Sequence, residues 1–234
     1  LGKIIHDIDF PAGVVNILSG PTSEVATTLS KSKIPSVLTM IGSTTTGQRV
    51  IADSATSIKK LSMELGGNAP FIVFEDADID KALDLAIGIK FGNSGQICVA
   101  ANRFFVHNSL YDSFLEKYVE RVNNLRLGFG IDQKPDMGPM VTRNDRDRMF
   151  DLINDAIEKG GVLLAGGEIP QGMEDGNWMM PTVISGMTTE MRLFREETFG
   201  PIAPFMSFET DEEVLRLAND TEFGLASYIF TNNS

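Results

Sequence analysis

Apolar and polar positions follow two rhythms along this chain. Short apolar runs rich in β-branched or aromatic residues occur at Val37-Leu38-Thr39-Met40-Ile41, Phe71-Ile72-Val73-Phe74, Arg103-Phe104-Phe105-Val106-His107 and Val162-Leu163-Leu164-Ala165, the pattern of strands. Residues 60–63, 201–208 and 227–230 read the same way. Of these, 71–74 is the best central strand, and 162–165 reads as buried. Between the runs the spacing changes to that of helices. Residues 48–60 read as one helix. A second, capped by Asp76 or Asp78, carries Ile79, Leu83, Ala86 and Ile87 on one face. A third starts at Asn108 or Ser109, runs through Phe114, Leu115, Tyr118, Val122 and Leu125, and stops before Gly128. Thr142 opens a fourth, which ends at Gly160, and 211–219 reads as a fifth. Trp178 and the Met179-Met180-Pro181-Thr182 run read as packing. Strands alternating with helices predict an α/β fold. The flexible pair after Leu65 predicts a boundary, dividing the chain into residues 1–65 and 66–234.

Composition narrows the function. The 234 residues carry a net charge of −12, from 32 acidic and 20 basic side chains. An acidic chain without a Lys/Arg cluster is a poor partner for nucleic acid or an anionic membrane. No apolar run is long enough to span a bilayer. One cysteine leaves no intrachain disulfide framework and suits a reducing, cytoplasmic setting. The two histidines, His6 and His107, match no metal-ligand spacing, so no metal is expected, and both read as surface or loop residues. The chain opens on Leu1 and has a strand-like run at 226–230 beside its last residues, which reads as a piece of a longer polypeptide.

Four segments hold candidate chemistry. Cys98 follows Gly92-Asn93-Ser94-Gly95-Gln96-Ile97, and residues 98–102 read as a short helix whose N-terminus would activate the thiol and offer N–H groups to an oxyanion. Glu64 ends a strand beside Gly66 and Gly67, where partial burial would suit a general base. Gly42-Ser43-Thr44-Thr45-Thr46-Gly47 is either a phosphate-binding strand-to-helix turn or an ordinary turn whose hydroxyl caps the helix. Glu196-Glu197-Thr198-Phe199-Gly200-Pro201 offers a carboxylate for ribose hydroxyls and an aromatic for a flat ring, or is a loop with a core anchor.

In this order the segments resemble the NAD(P)-dependent aldehyde dehydrogenase superfamily. The resemblance rests on Met63-Glu64-Leu65-Gly66-Gly67-Asn68, Gly95-Gln96-Ile97-Cys98 and Glu197-Thr198-Phe199-Gly200-Pro201, supported by Phe10-Pro11-Ala12-Gly13-Val14-Val15-Asn16 and the Gly42-Ser43-Thr44 loop. Asn68 to Phe74, Ala101-Asn102-Arg103 and 218–225 look most like succinate-semialdehyde dehydrogenases. The resemblance implies the C-terminal part of a Rossmann-type cofactor domain in 1–65 and an α/β catalytic domain, incomplete at its end, in 66–234. It implies Cys98 as nucleophile, Glu64 as base, and cofactor contacts from Gly42, Ser43, Leu65, Glu197 and Phe199. NAD or NADP would be the cofactor, an aldehyde the substrate, and a homodimer or homotetramer the assembly. The 234 residues alone would then be inactive.

Two positions depart from that pattern. Gly92 stands where succinate-semialdehyde enzymes carry a carboxylate-binding Arg, and Ala100 where many carry a second, redox-active cysteine. Losing a charge-assisted bond costs about 1.5–3 kcal/mol, so an uncharged aldehyde is the alternative substrate. A cysteine hydrolase or acyltransferase would need a histidine beside the thiol. A non-catalytic assembly partner is the third reading.

Overall fold

A computed structural model describes residues 1–233, leaving aside the side chains of residues 132 and 133. The chain forms two compact units, Leu1–Leu65 and Gly66–Ser234.

The first unit holds α1 (Gly2–Asp7), α2 (Thr22–Lys31), β1 (Val37–Ile41), α3 (Thr44–Ser54) and β2 (Lys60–Glu64). β1 and β2 pair in parallel from Val37 beside Lys60 to Ile41 beside Glu64, with α3 in the connection between them. α3 covers residues 44–54 rather than the expected 48–60. Ser43 is its N-cap and accepts from the Thr46 N–H at 3.2 Å, which draws all three threonines into the first turn. The same shift releases Lys60 to begin β2. α1 and α2 went unread in the sequence.

The second unit contains β3 (Ala69–Val73), α4 (Ile79–Phe91), β4 (Ala101–His107), α5 (Asn108–Asn123), α6 (Gly130–Gln133), α7 (Arg143–Glu158), β5 (Val162–Ala165), β6 (Thr182–Ser185), α8 (Arg192–Arg195), β7 (Ile202–Phe208), α9 (Asp211–Asn219) and β8 (Tyr228–Phe230). Its sheet has the order β5-β6-β7-β4-β3-β8, parallel throughout except for antiparallel β5 on β6. β3 is an inner strand, although β4 and β7 lie nearer the middle. Alternate residues feed two cores. Phe71, Val73, Phe104, Val106 and Phe205 pack with α4 and α5, while Ile72, Phe105, Ile184 and Ile202 pack with α7 to α9. A strand buried on both faces reads as an unbroken apolar run, which is why β3 and β4 were visible in the sequence.

β5 is not the buried strand expected. It lies at the sheet edge, paired on one side, and Val162, Leu163 and Leu164 are exposed. β6 went unread because its four residues lie inside a Met-Pro-Thr segment. Arg103, fully buried in β4, donates to the Leu217 and Ala218 carbonyls at 3.1 and 2.9 Å and to the Asn68 carbonyl at 3.0 Å. It thereby pins the C-terminal end of α9, where a cation also suits the helix dipole. Burial lowers its pKa to about 10.

Candidate active site

Cys98 does not open a helix. Residues 97–100 form a turn closed by the Ala100 N–H on the Ile97 carbonyl at 3.0 Å, and β4 starts at Ala101. Ala101 begins a buried strand whose residues must lie extended, so no helical turn fits after the cysteine. Ahead of the turn, Asn93, Ser94 and Gly95 have φ of 50°, 59° and 71° in succession. Such left-handed residues cost of order 1–3 kcal/mol each outside glycine and persist only where surroundings over-determine them. Here Asn93 and Gln96 exchange side-chain to carbonyl bonds at 3.1 and 3.0 Å. The Ser94 hydroxyl donates to the Gly138 carbonyl at 2.7 Å, and the Val141 N–H donates to Gln96 Oε1 at 2.9 Å. The Cys98 thiol is half-buried at the end of this braced loop.

Glycines let the loop carrying Glu197 pack close to it. A methyl on Gly67 would lie 2.2 Å from the Cys98 carbonyl oxygen, and one on Gly66 would collide with the Glu197 carboxylate. The Gly67 N–H donates to Glu197 Oε1 at 3.1 Å. A methyl on Gly95 would lie 2.3 Å from the Gly200 carbonyl oxygen, so the Cys98 loop rests on the loop carrying Glu197 and Phe199. Phe199 is exposed and has φ 47°, a strained presentation of an aromatic ring rather than a core anchor. Arg148 of α7 braces this loop, donating to the Thr198 and Glu197 carbonyls at 3.0 and 2.7 Å. Burial raises the Glu197 pKa, against the opposing pull of the Gly67 N–H and Arg148.

Beneath the site Lys90 is completely buried, donating to Asn102 Oδ1 at 3.0 Å, and Asn102 Nδ2 donates to the Gly67 carbonyl at 3.2 Å. Among the described residues no carboxylate pairs with Lys90, and burial lowers its pKa to about 7. Arg148, Lys90 and Asn102 were missed as site residues. Arg148 and Asn102 reach backbone carbonyls distant in sequence, and Lys90 reaches the Asn102 side chain, so spacing alone did not join them to Cys98 or Glu197.

In the first unit, Gly42, Ser43, Glu64 and Leu65 come together at the carboxyl ends of β1 and β2. The Gly42 N–H donates to the Glu64 carbonyl at 3.0 Å. Leu65 packs on Gly47 of α3, where a methyl would lie 2.6 Å from its Cδ2. This end of a parallel sheet is where such folds bind ligands, and the first-turn N–H groups of α3 suit an anion. A cleft of about 440 Å³ lies between α2 and β1 of the same unit, lined by Val25, Ala26, Leu29, Met40 and Val50. Val25, Ala26 and Leu29 recur at helical spacing, a signal that could have revealed α2. The Glu64 side chain is exposed, not partly buried as expected, because it ends the second of only two strands.

His107 lies at the far end of β4 from Cys98, about 20 Å along the strand. Its Nδ1 accepts from the Ser109 N–H and caps α5, so it is a structural cap rather than a loop residue or a partner for the thiol. Among the described residues no group of three or more His, Cys, Asp or Glu could hold a metal ion. No helix among them is long and apolar enough to cross a membrane.

Comparison with known proteins agrees with this geometry. The chain matches the aldehyde dehydrogenase family over residues 1–234. It is 43% identical over 223 residues to 3-sulfolactaldehyde dehydrogenase of Pseudomonas putida, covering 95% of this chain and 46% of that protein. It is 41% identical over 223 residues to the NADP(+) succinate-semialdehyde dehydrogenase of Escherichia coli K12, again covering 95% and 46%. The crystal structure of succinate-semialdehyde dehydrogenase from Burkholderia pseudomallei superposes with a TM-score of 0.96 at 40% identity, over 99% of this chain and 48% of that one. The chain thus spans about half the length of the relatives it matches. It belongs to the aldehyde dehydrogenase family.

Proposed function

We propose that this chain carries the nucleophile of an enzyme that oxidises an aldehyde to a carboxylic acid with NAD or NADP. The observation that carries the reading is the braced Cys98 turn, packed on Gly67 and joined through its N–H to Glu197. Residues 1–65 are the proposed end of the cofactor domain and 66–234 the proposed catalytic domain.

Cys98 Sγ adds to the aldehyde carbon, giving a thiohemiacetal whose oxyanion the Cys98 N–H can bind, since that group meets no acceptor among the described residues. When bound, the nicotinamide supplies the hydride acceptor that turns this adduct into a thioester. Glu64 is the proposed base that takes a proton from the water hydrolysing the thioester. Glu197 is proposed to grip ribose hydroxyls, Phe199 to flank the nicotinamide, and Gly42, Ser43 and Leu65 to seat the pyrophosphate end. A cytoplasmic homodimer or homotetramer is the proposed form, supported by the single free thiol and the family.

Substrate choice is a separate proposal. The succinate-semialdehyde relatives favour a carboxylated aldehyde, and Gly92 favours an uncharged one. The test follows reduced-nicotinamide formation by the full-length protein carrying this chain, offered succinic semialdehyde and uncharged aldehydes with NAD and with NADP. Turnover abolished by Cys98→Ala supports the reading. No turnover with any aldehyde overturns it. Preference for succinic semialdehyde requires a cation other than one at position 92.

A further inference from the structure

The Cys98 turn has a clamp that no catalytic role accounts for. The Tyr228 hydroxyl, on edge strand β8, donates to the Val99 carbonyl at 2.8 Å. Val99 and Ala100 share one peptide plane, and its other end, the Ala100 N–H, closes the turn on the Ile97 carbonyl at 3.0 Å. Both polar ends of that plane are therefore held, one locally and one from 129 residues away. Without the phenol, this plane, the second after Cys98, would hang on a single turn hydrogen bond.

We propose that Tyr228 is a positioning residue, whose hydroxyl locks the Val99–Ala100 peptide and so fixes the orientation in which Cys98 presents its thiol. The ring itself is anchored independently: Tyr228 pairs with Phe71 in the β3–β8 ladder, their ring centroids 6.0 Å apart. The hydroxyl can thus be removed while the ring stays in place. Tyr228 is also close enough to feel the nucleophile. Burial raises its pKa first, and charge on Cys98 raises it further. This role rests on the reading of Cys98 as nucleophile, but its test needs neither aldehyde nor nicotinamide.

Cys98 is the only thiol in these 234 residues, so its second-order alkylation by iodoacetamide, followed on the Cys98 peptide by mass spectrometry, reports on this turn alone. Tyr228→Phe should slow that reaction by about threefold to tenfold, the weight of one neutral hydrogen bond. Hydrogen exchange at the Ala100 amide should accelerate by a similar factor. Phe230→Leu is the control, because Phe230 stacks on Phe71 at 4.8 Å and braces β8 without touching the turn. It should leave the alkylation rate and Ala100 exchange unchanged. Unchanged alkylation and exchange in Tyr228→Phe would overturn the proposal, as would equal slowing by Phe230→Leu, which would assign the effect to strand packing. Either failure would leave the aldehyde-oxidising reading standing.

Discussion

Gly67 carries no side chain because the Cys98 carbonyl occupies the place where one would go: a methyl there would meet that oxygen at 2.2 Å. The same residue donates its N–H to Glu197 and accepts from Asn102 through its carbonyl. One residue thus links the Cys98 turn, the Glu197 carboxylate and, through Asn102, the buried Lys90. Gly67→Ala must displace the Cys98 backbone, at a cost of about 1–3 kcal/mol for overpacking a tight contact. A lower denaturant midpoint together with altered Cys98 alkylation is the expected result.

Gly95 is constrained twice, by φ of 71° and by the Gly200 carbonyl 2.3 Å from any added methyl. Gly88, inside α4, has open space around it. Gly95→Ala should destabilise by about 1–3 kcal/mol or more, whereas Gly88→Ala should stabilise by about 0.5–1 kcal/mol by favouring the helix. Equilibrium unfolding of the two variants side by side checks both signs.

Lys90 makes stability depend on pH in an unusual direction. Its folded pKa is about 7 against an ordinary 10.5, so between these values the unfolded chain holds the extra proton. Stability then rises with pH, by up to about 1.4 kcal/mol per unit. The burial penalty is greatest below pH 7 and is relieved as pH climbs toward 10. Lys90→Met should flatten this slope between pH 7 and 9 relative to the parent protein, read from urea midpoints at each pH. An unchanged slope would mean that Lys90 stays charged or opens to water.

Ser43 contributes to stability whatever it binds. Its side chain accepts the Thr46 N–H at 3.2 Å and meets the Thr46 hydroxyl at 2.9 Å. Ser43→Ala should cost about 1 kcal/mol, and Ser43→Asp, which restores an acceptor, should recover most of it. Thermal melts of the two variants separate capping from any part in cofactor binding.

Elements were legible where local chemistry and burial agreed. The N-caps Asp78, Thr142 and Thr210 stand where helices begin, and α9 occupies the residues its spacing predicted. Legibility failed where burial departed from pattern. β5 is apolar yet exposed, since being outermost in the sheet is a property of strand order. The 98–102 segment looked helical until the buried strand beginning at Ala101 claimed its end.

The sequence by itself determined the α/β alternation, the presence of a single thiol and the ordered motifs around Glu64, Cys98 and Glu197. These are matters of residue type and spacing along one chain. Only the tertiary structure decided which groups act together. Gly67 against Cys98, Tyr228 on Val99 and Arg148 on the Glu197 loop are contacts made to backbone groups that every sequence possesses. A carbonyl or an N–H carries no signature in the sequence, so its partner appears only once packing has brought distant segments to within hydrogen-bond reach.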